Sequence, residues 1–577
     1  MTSILRTVAF LTRSTKGKRK RNIPGFHLSL CITLSMLGIF IIVPLMSVLS
    51  YAFRMSPAAI MAVILDKNVL NAFGTSIICA FLAAVLNCFF GLVLAWVLVR
   101  YNFPGKKLMD SLIELPFALP TAVAGITLSK MYSTTGELGR PLSKLGIYVS
   151  YTHLGLLVAL IFVGIPFVVR AIEPVLESLS PVYEEAASVM GASRRKIFFR
   201  IIIPELSPAL LTGFGLAFAR GIGEYGSVIY ISGNSAKHKT QVISYIIMQK
   251  LGYLDYESAT AIALVMLLIS FVLLMFLNLM QIWQSKRTSG AAATTMHSIG
   301  RKKDPRHISY PLVLLSVLFV VIMLVCPLIS VIRNALSKGF SFYINSLTTS
   351  YVTSAFCVTT LATLIALLVN TVFGIFASWL LTRFSFKGKH FLTTLIDIPF
   401  SVSPVIAGLS YIMTFGRLGW AYPIIQKINQ TLGTNIQIVF ALPGVVLATI
   451  FVTFPFVSRE IIPVLYACGT DEEEAAAMMG ASGFSIWKKI TLPHMKWALI
   501  YGMILCAARA LGEFGAVNAL SKTRGQTFTL PLEIDALYLS GSSDSITSAF
   551  AVSSILVIIA VAVLVLREIM ELREKRR

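Results

Sequence analysis

Two ion pairs stand where ions are costly. Arg220 and Glu224, and Arg509 and Glu513, are each four residues apart inside long apolar runs. A charge at the centre of a bilayer costs about 2.5–3.5 kcal/mol on insertion scales, so such residues normally face protein or a water-filled path. The spacing lets each arginine meet its own glutamate on one helix face. Two readings follow. The pairs are self-neutralising and orient their helices, or Arg220 and Arg509 lend positive potential to an anion route while the glutamates keep the ion from being trapped. Two further acids, Glu114 and Asp397, lie beside Pro116 and Pro399. A proline kink there, near the cytoplasmic entrance, would free backbone N–H groups that could help an anion pass. Thr121, Ser401 and Ser403 are weaker hydroxyl donors on the same route.

Other chemistry is not supported. No GxxxxGK[ST] run occurs, so nothing here cradles the phosphates of ATP. Gly221, Gly223 and Gly226 match GxGxxG, but they lie in an apolar run with no preceding strand, and the equivalent of Gly221 in a second copy is Ala510. Close helix packing explains them better than a dinucleotide. The seven histidines are scattered, and the seven cysteines include no CxxC. The cysteines read as small buried hydrophobes, with no disulfide and no metal site expected.

The elements that carry these residues are set by composition. Of 577 residues, 56% are hydrophobic and 13% charged, with a mean hydropathy of +0.80. Soluble chains are typically about 25% charged. A soluble enzyme, a nucleic-acid module and a disordered chain are excluded, and an all-α polytopic membrane protein is expected, because only helices and closed barrels satisfy the backbone in lipid. Runs of about 20 apolar residues predict twelve transmembrane helices. The first six cover 27–51, 73–99, 109–131, 153–172, 206–231 and 258–283; the second six cover 309–332, 352–381, 391–415, 437–458, 495–520 and 546–566. No small-x-small cleavage site follows the first span, so it is expected to be retained. Basic clusters at Arg6–Arg21, at Lys286–Arg306 and at the C-terminus place both termini and the central linker in the cytoplasm. The net charge of +23 is thus a topology signal and an attraction to membrane lipids, and no nucleic acid is expected as a partner.

The chain repeats itself. Glu185-Ala186-Ala187-Ser188-Val189-Met190-Gly191 returns 289 residues later as Glu474-Ala475-Ala476-Ala477-Met478-Met479-Gly480, and Gly223-Glu224-Tyr225-Gly226 as Gly512-Glu513-Phe514-Gly515. Earlier in each half the spacing is 283, as in Pro116-Phe117 and Pro399-Phe400. An external loop near 132–152 absorbs the difference. The halves, 1–283 and 309–577, are parallel six-span repeats about a pseudo-twofold along the membrane normal. They are joined by a basic, Ser/Thr/Ala-rich tether at 284–308.

The most similar segment is polar. Glu184, Glu185, Ala186 and Ala187, then Gly191 and Pro204, correspond to Glu473, Glu474, Ala475 and Ala476, then Gly480 and Pro493. Locally these read as short helices over 183–192 and 472–481, with acids at the N-terminal end, a glycine C-cap and a proline opening the next span.

This pattern, E-A-A-x3-G-x9-I-x-L-P, resembles the signature loop of the membrane subunits of ABC importers; the first copy departs from it only at Ile203. Leu115–Gly125 and Pro204–Leu210 look like the first permease subunit of sulfate/thiosulfate importers. Asp397–Gly408 and Arg524–Ile534 look like the second. In that family the two are usually separate chains; here they are fused. The resemblance implies a type I importer fold, a bacterial-type inner-membrane location and coupling helices that dock two ATPase subunits. It also implies ATP and magnesium on those partners, with no cofactor on this chain, and an extracytoplasmic sulfate-binding protein. The chain itself would be a transporter subunit, not an enzyme. Molybdate, tungstate, iron or thiamine as substrate, or a twelve-span secondary transporter, are the alternatives.

Overall fold

Long apolar runs become long helices, and their breaks fall at proline and glycine. The computed structural model describes residues 25–288 and 310–575; the basic N-terminal segment and most of the tether fall outside this range. The first half contains α1 (Phe26–Ala52), α2 (Lys67–Arg100), α3 (Lys106–Ala118), α4 (Thr121–Tyr132) and α5 (His153–Ser178). It continues through α6 (Pro181–Val189), α7 (Arg194–Ile222), α8 (Ile243–Gly252) and α9 (Tyr256–Thr288). The second half repeats the order: α10 (Tyr310–Ala335), α11 (Ser350–Arg383), α12 (Lys389–Ser401), α13 (Pro404–Phe415) and α14 (Leu442–Cys468). Then come α15 (Asp471–Met478), α16 (Gly483–Leu511), α17 (Leu530–Leu539) and α18 (Ser543–Lys575). Ten of these are long and apolar enough to cross a membrane, and the pairs α3/α4 and α12/α13 add one broken crossing each. The chain is an all-α, multi-pass membrane protein.

Three expectations are corrected. The third and ninth spans are not single helices: they turn by 108° and 105° between their two segments. The turn is not at Pro116 or Pro399, which lie inside helices, but at Leu119-Pro120 and Val402-Ser403-Pro404. Leu119 and Ser403, each followed by a proline, have ψ of 129° and 134°, outside the helical region that the proline ring disfavours for the residue before it. Pro204 and Pro493 do not open their spans. Helices α7 and α16 start ten residues earlier, and a π-turn (Phe198–Ile202, Trp487–Thr491) precedes each proline. The wider turn accommodates the missing N–H. Similar π-turns precede Pro44 in α1 and Pro327 in α10. Finally, α7 and α16 end at Ile222 and Leu511 rather than running to 231 and 520.

The first span of each half crosses to the other half. Helix α1 packs on α11 and α13, and α10 packs on α2 and α4. The Tyr411 hydroxyl donates to the Phe40 carbonyl (2.8 Å), and Thr414 and the Trp420 indole both donate to Ser47 Oγ (2.9 Å each). Within each half, glycine permits backbone approach. A Cβ on Gly91 would stand 2.6 Å from Val168, and one on the equivalent Gly374 2.5 Å from Val457. These contacts hold α5 and α14 against α2 and α11. Helices α4 and α13 are buried along nearly their whole length, which places them at the centre.

Candidate functional site

The two halves meet back to back where the third and ninth spans break. A Cβ on Gly223 would lie 3.1 Å from Ser403 Cα, and one on Gly512 3.0 Å from Pro120 Cα. These contacts are reciprocal: the glycine ending α7 touches the break of the second half, and the glycine ending α16 touches the break of the first. The pseudo-twofold axis passes between them. Tyr225 and Phe514, equivalent residues, stack across it with centroids 5.8 Å apart and planes 10° from parallel.

Arg220 and Arg509 line one small cavity on this axis, together with Pro116, Phe117, Thr121 and Phe400. Arg220 Nη2 lies 2.7 Å from Glu224 Oε2, and Arg509 Nη2 2.6 Å from Glu513 Oε2. The sequence expectation of pairing holds, but not its geometry. Each glutamate sits beyond the end of its helix, and its other oxygen caps the next short helix. Glu224 Oε1 accepts from Ser227 N (3.1 Å) and Ser227 Oγ (3.0 Å); Glu513 Oε1 accepts from Ala516 N (3.0 Å). Both glutamates are buried. The arginines are therefore fixed from behind, each by one carboxylate. A guanidinium carries five donors in a fork that matches oxyanions, and two of them border this one cavity. The water-accessible volume is only ≈ 30 Å³, room for about two waters.

Four phenylalanines close one side of the cavity. Phe117 meets Phe167 edge-on at 4.9 Å, and the equivalent Phe400 meets Phe456 at 5.1 Å. Beyond Phe167 and Phe400, toward the end that carries α6 and α15, lies a larger cavity of ≈ 380 Å³ of water-accessible space. Thr121 faces the small cavity and Ser401 the large one. Ser403 lines neither; its hydroxyl shares a hydrogen with Ser244 at 3.0 Å.

The repeated polar loops form α6 and α15. Gly191 and Gly480 both have φ of +82°, the left-handed cap that glycine alone adopts at little cost. The N–H of Ala192 then bonds the Ala187 carbonyl, and that of Ala481 the Ala476 carbonyl (3.0 Å each). Glu184 and Glu473 do more than favour the helix dipole: they anchor it. Glu184 pairs with Arg100 at 2.5 Å, and Glu473 with Arg383 at 2.7 Å while accepting from Thr491 Oγ1 at 2.7 Å. Glu185, Ala186 and Ala475 are exposed, whereas Glu474, Ala187 and Ala476 are half-buried. At the tips Val189 is 90%, Met190 87%, Met478 83% and Met479 89% exposed. Each loop thus ends in a pair of exposed apolar side chains.

Arg100 and Arg383 were not singled out from sequence, although they end equivalent helices 283 residues apart. A second pair of equivalent arginines, Arg170 and Arg459, stands 289 residues apart and also carries ion pairs. Arg170 contacts Asp110 (2.7 Å), Glu114 (2.7 Å) and Glu173 (2.5 Å); Arg459 contacts Asp397 (3.0 Å).

Comparison with known proteins agrees with this architecture. The family described as "binding-protein-dependent transport system inner membrane component" matches residues 87–290 and again 370–576. The sulfate transport system permease protein CysT of Escherichia coli (strain K12) is 46% identical over 271 residues, 47% of this chain and 98% of the relative. The probable cysT protein of Marchantia polymorpha is 45% identical over 271 residues, 47% of this chain and 93% of its own length. CysW of Escherichia coli (strain K12) is 42% identical over 252 residues, 44% of this chain and 84% of the relative. Each relative thus corresponds to about one half of this chain.

Proposed function

The chain belongs to the family of binding-protein-dependent transport system inner membrane components, and from that premise we propose that it forms, in one fused polypeptide, the membrane path of an ATP-driven importer for sulfate or thiosulfate. The carrying observation is that Arg220 and Arg509, one from each half, converge on a single cavity at the pseudo-twofold. A path between two halves that presents a cation from each suits a tetrahedral oxyanion, and the sulfate permeases among the relatives support the substrate class.

Charge and shape supply the rest. The basic termini and tether put α6 and α15 in the cytoplasm. There, two ATPase subunits, which hold ATP and magnesium themselves, take one exposed apolar tip each. An extracytoplasmic sulfate-binding protein delivers the anion to the opposite end. ATP-driven closure pulls on α6 and α15. Through Glu184–Arg100 and Glu473–Arg383 that pull reaches the ends of α2 and α11, and the halves rock about the Gly223–Ser403 and Gly512–Pro120 contacts. The narrow cavity must widen for an anion to pass, so the ATPase cycle has to bind the widened state differently from this one.

Reconstitution of the chain with its ATPase and binding protein tests this. ATP-dependent accumulation of labelled sulfate, competed by thiosulfate but not by thiamine or ferric iron, is the expected result. Accumulation driven by a proton or sodium gradient without ATP, or competition by molybdate stronger than by sulfate, would overturn it.

A further inference from the structure

The pseudo-twofold symmetry of the arginine constriction does not extend to the side facing α6 and α15. In the first half, Arg170 is enclosed by Asp110, Glu114 and Glu173, and the Tyr501 hydroxyl of the second half reaches Glu114 Oε2 at 3.3 Å. Three carboxylates against one guanidinium make this face acidic. The repeat places Thr393, Asp397 and Ile462 where those three acids stand. Arg459, the counterpart of Arg170, therefore has a single partner among these positions. Asp397 engages its Nε at 3.0 Å, and the guanidinium lies over the ring of Phe400, 4.2 Å from the centroid.

The ≈ 380 Å³ cavity opens on the second of these faces. It is lined by Thr393, Asp397, Ser401, Ser458 and Arg459, and is separated from the two-arginine cavity by Phe167 and Phe400, which border both. Arg459 is about a third exposed there, so the donors of its fork that Asp397 does not take can meet an ion. Its stacking on Phe400 links the state of the phenyl partition to the same guanidinium.

We propose that this cavity is a second oxyanion site, a release vestibule in which Arg459 contacts the anion after it has passed Phe167 and Phe400, so that the exit follows the second half and not the acidic face around Arg170. The assignment rests on the reading of the chain as an anion permease, and the vestibule's charge can be measured apart from any substrate. Thr393 is exposed at its rim, and its hydroxyl donates only along its own helix, to the Lys389 carbonyl (3.1 Å). In the full chain in lipid nanodiscs, Thr393→Cys is treated with an anionic (sulfonatoethyl) or a cationic (trimethylammonioethyl) methanethiosulfonate, and the modified peptide is followed by mass spectrometry. Asp397 opposes Arg459 in the same cavity, so the informative quantity is the change when the cation is removed. Arg459→Gln should lower the anionic-to-cationic reagent ratio by about threefold, as for one unit charge within a Debye length, and Arg459→Lys, which keeps the charge, should leave the ratio unmoved and shows that the fold survives. Millimolar sulfate should slow modification both with Arg459 intact and in the charge-retaining Arg459→Lys background. A ratio that Arg459→Gln leaves unmoved, or modification that no oxyanion slows, overturns the vestibule. An Arg459-dependent ratio with slowing by molybdate but not by sulfate supports the vestibule and counts against sulfate as the substrate.

Discussion

At the level of single residues, the Arg–Glu pairs matter through what remains when one partner is removed. With Arg220→Gln, Glu224 still accepts two hydrogen bonds from Ser227; with Arg509→Gln, Glu513 keeps one, from Ala516 N. Both changes should lower sulfate uptake by about tenfold or more, the worth of one charge-assisted hydrogen bond at about 1.5–3 kcal/mol, and Arg509→Gln should cost more in thermal stability. Paired uptake and melting measurements check this; equal uptake in wild type and both variants would remove the arginines from the path. A different residue gives a pH dependence. Asp535 lies in α17, outside the spanning helices, where burial pushes its carboxyl up to about 6, against the opposing effects of the Tyr230 hydroxyl (2.6 Å) and Lys522. A carboxyl raised in the folded state binds its proton more tightly there than in the unfolded chain. Its contribution therefore favours folding at acid pH and is lost as pH rises from the ordinary carboxylate range through about 6. Asp535→Asn, which keeps an acceptor for Tyr230, should raise the melting temperature at pH 8 and leave it nearly unchanged at pH 4.5; an equal shift at both values would refute this.

At the level of elements, the repeated short helices α6 and α15 show what a repeat reveals and what it hides. Their position, caps and glycine conformation were legible because two copies kept the same residues at the same spacing. Their anchors were not, because Arg100 and Arg383 end helices far away in sequence, and an ion pair across 84 or more residues leaves no local pattern. The breaks at Pro120 and Pro404 were hidden differently: hydropathy runs unbroken through them, so the lipid-length criterion counted one span where the chain turns through more than 100°. The prolines that looked like start signals, Pro204 and Pro493, are absorbed by π-turns inside α7 and α16. The two anchors differ in depth. Arg383 and Glu473 have 2% exposure each, against 11% and 12% for Arg100 and Glu184. Glu473→Ala leaves a buried guanidinium without its carboxylate, which costs about 3–5 kcal/mol, whereas Glu184→Ala should cost less. Detergent melting of the two variants is expected to rank them in that order. A Cβ added at Gly191 or Gly480 meets no neighbouring atom within 4 Å, yet Gly191→Val and Gly480→Val force a β-branched residue to φ +82°, at about 1–3 kcal/mol each. They should therefore weaken ATPase co-purification through the loop's shape alone, while Asn, which tolerates this conformation, should preserve it.

At the level of the whole molecule, the exchange of first spans decides what the fusion does. If its half stood alone, α1 would lose its main partners, α11 and α13, and α10, which also packs on α18 of its own half, would lose its contacts with α2 and α4. The halves are also interlocked at the axis by the Gly223–Ser403 and Gly512–Pro120 contacts. Helix association in lipid depends on this kind of close packing and interhelical hydrogen bonding, because the apolar surface gains little by leaving acyl chains. The covalent tether then adds effective concentration rather than new contacts. Cutting the chain within the tether and producing residues 1–300 and 301–577 together should give a complex that co-purifies and retains most of the uptake of the fused chain, while either piece alone is degraded or aggregates. Disrupting the exchange should do the reverse. Ser47→Leu removes the acceptor for both Thr414 and Trp420 and places a branched chain at the α1–α13 contact. In the fused protein it should lower the melting temperature moderately, because the tether holds the halves close, but in the split protein it should abolish co-purification. If the split halves fail to associate even with Ser47 intact, the tether is holding the molecule together and the exchanged spans are not.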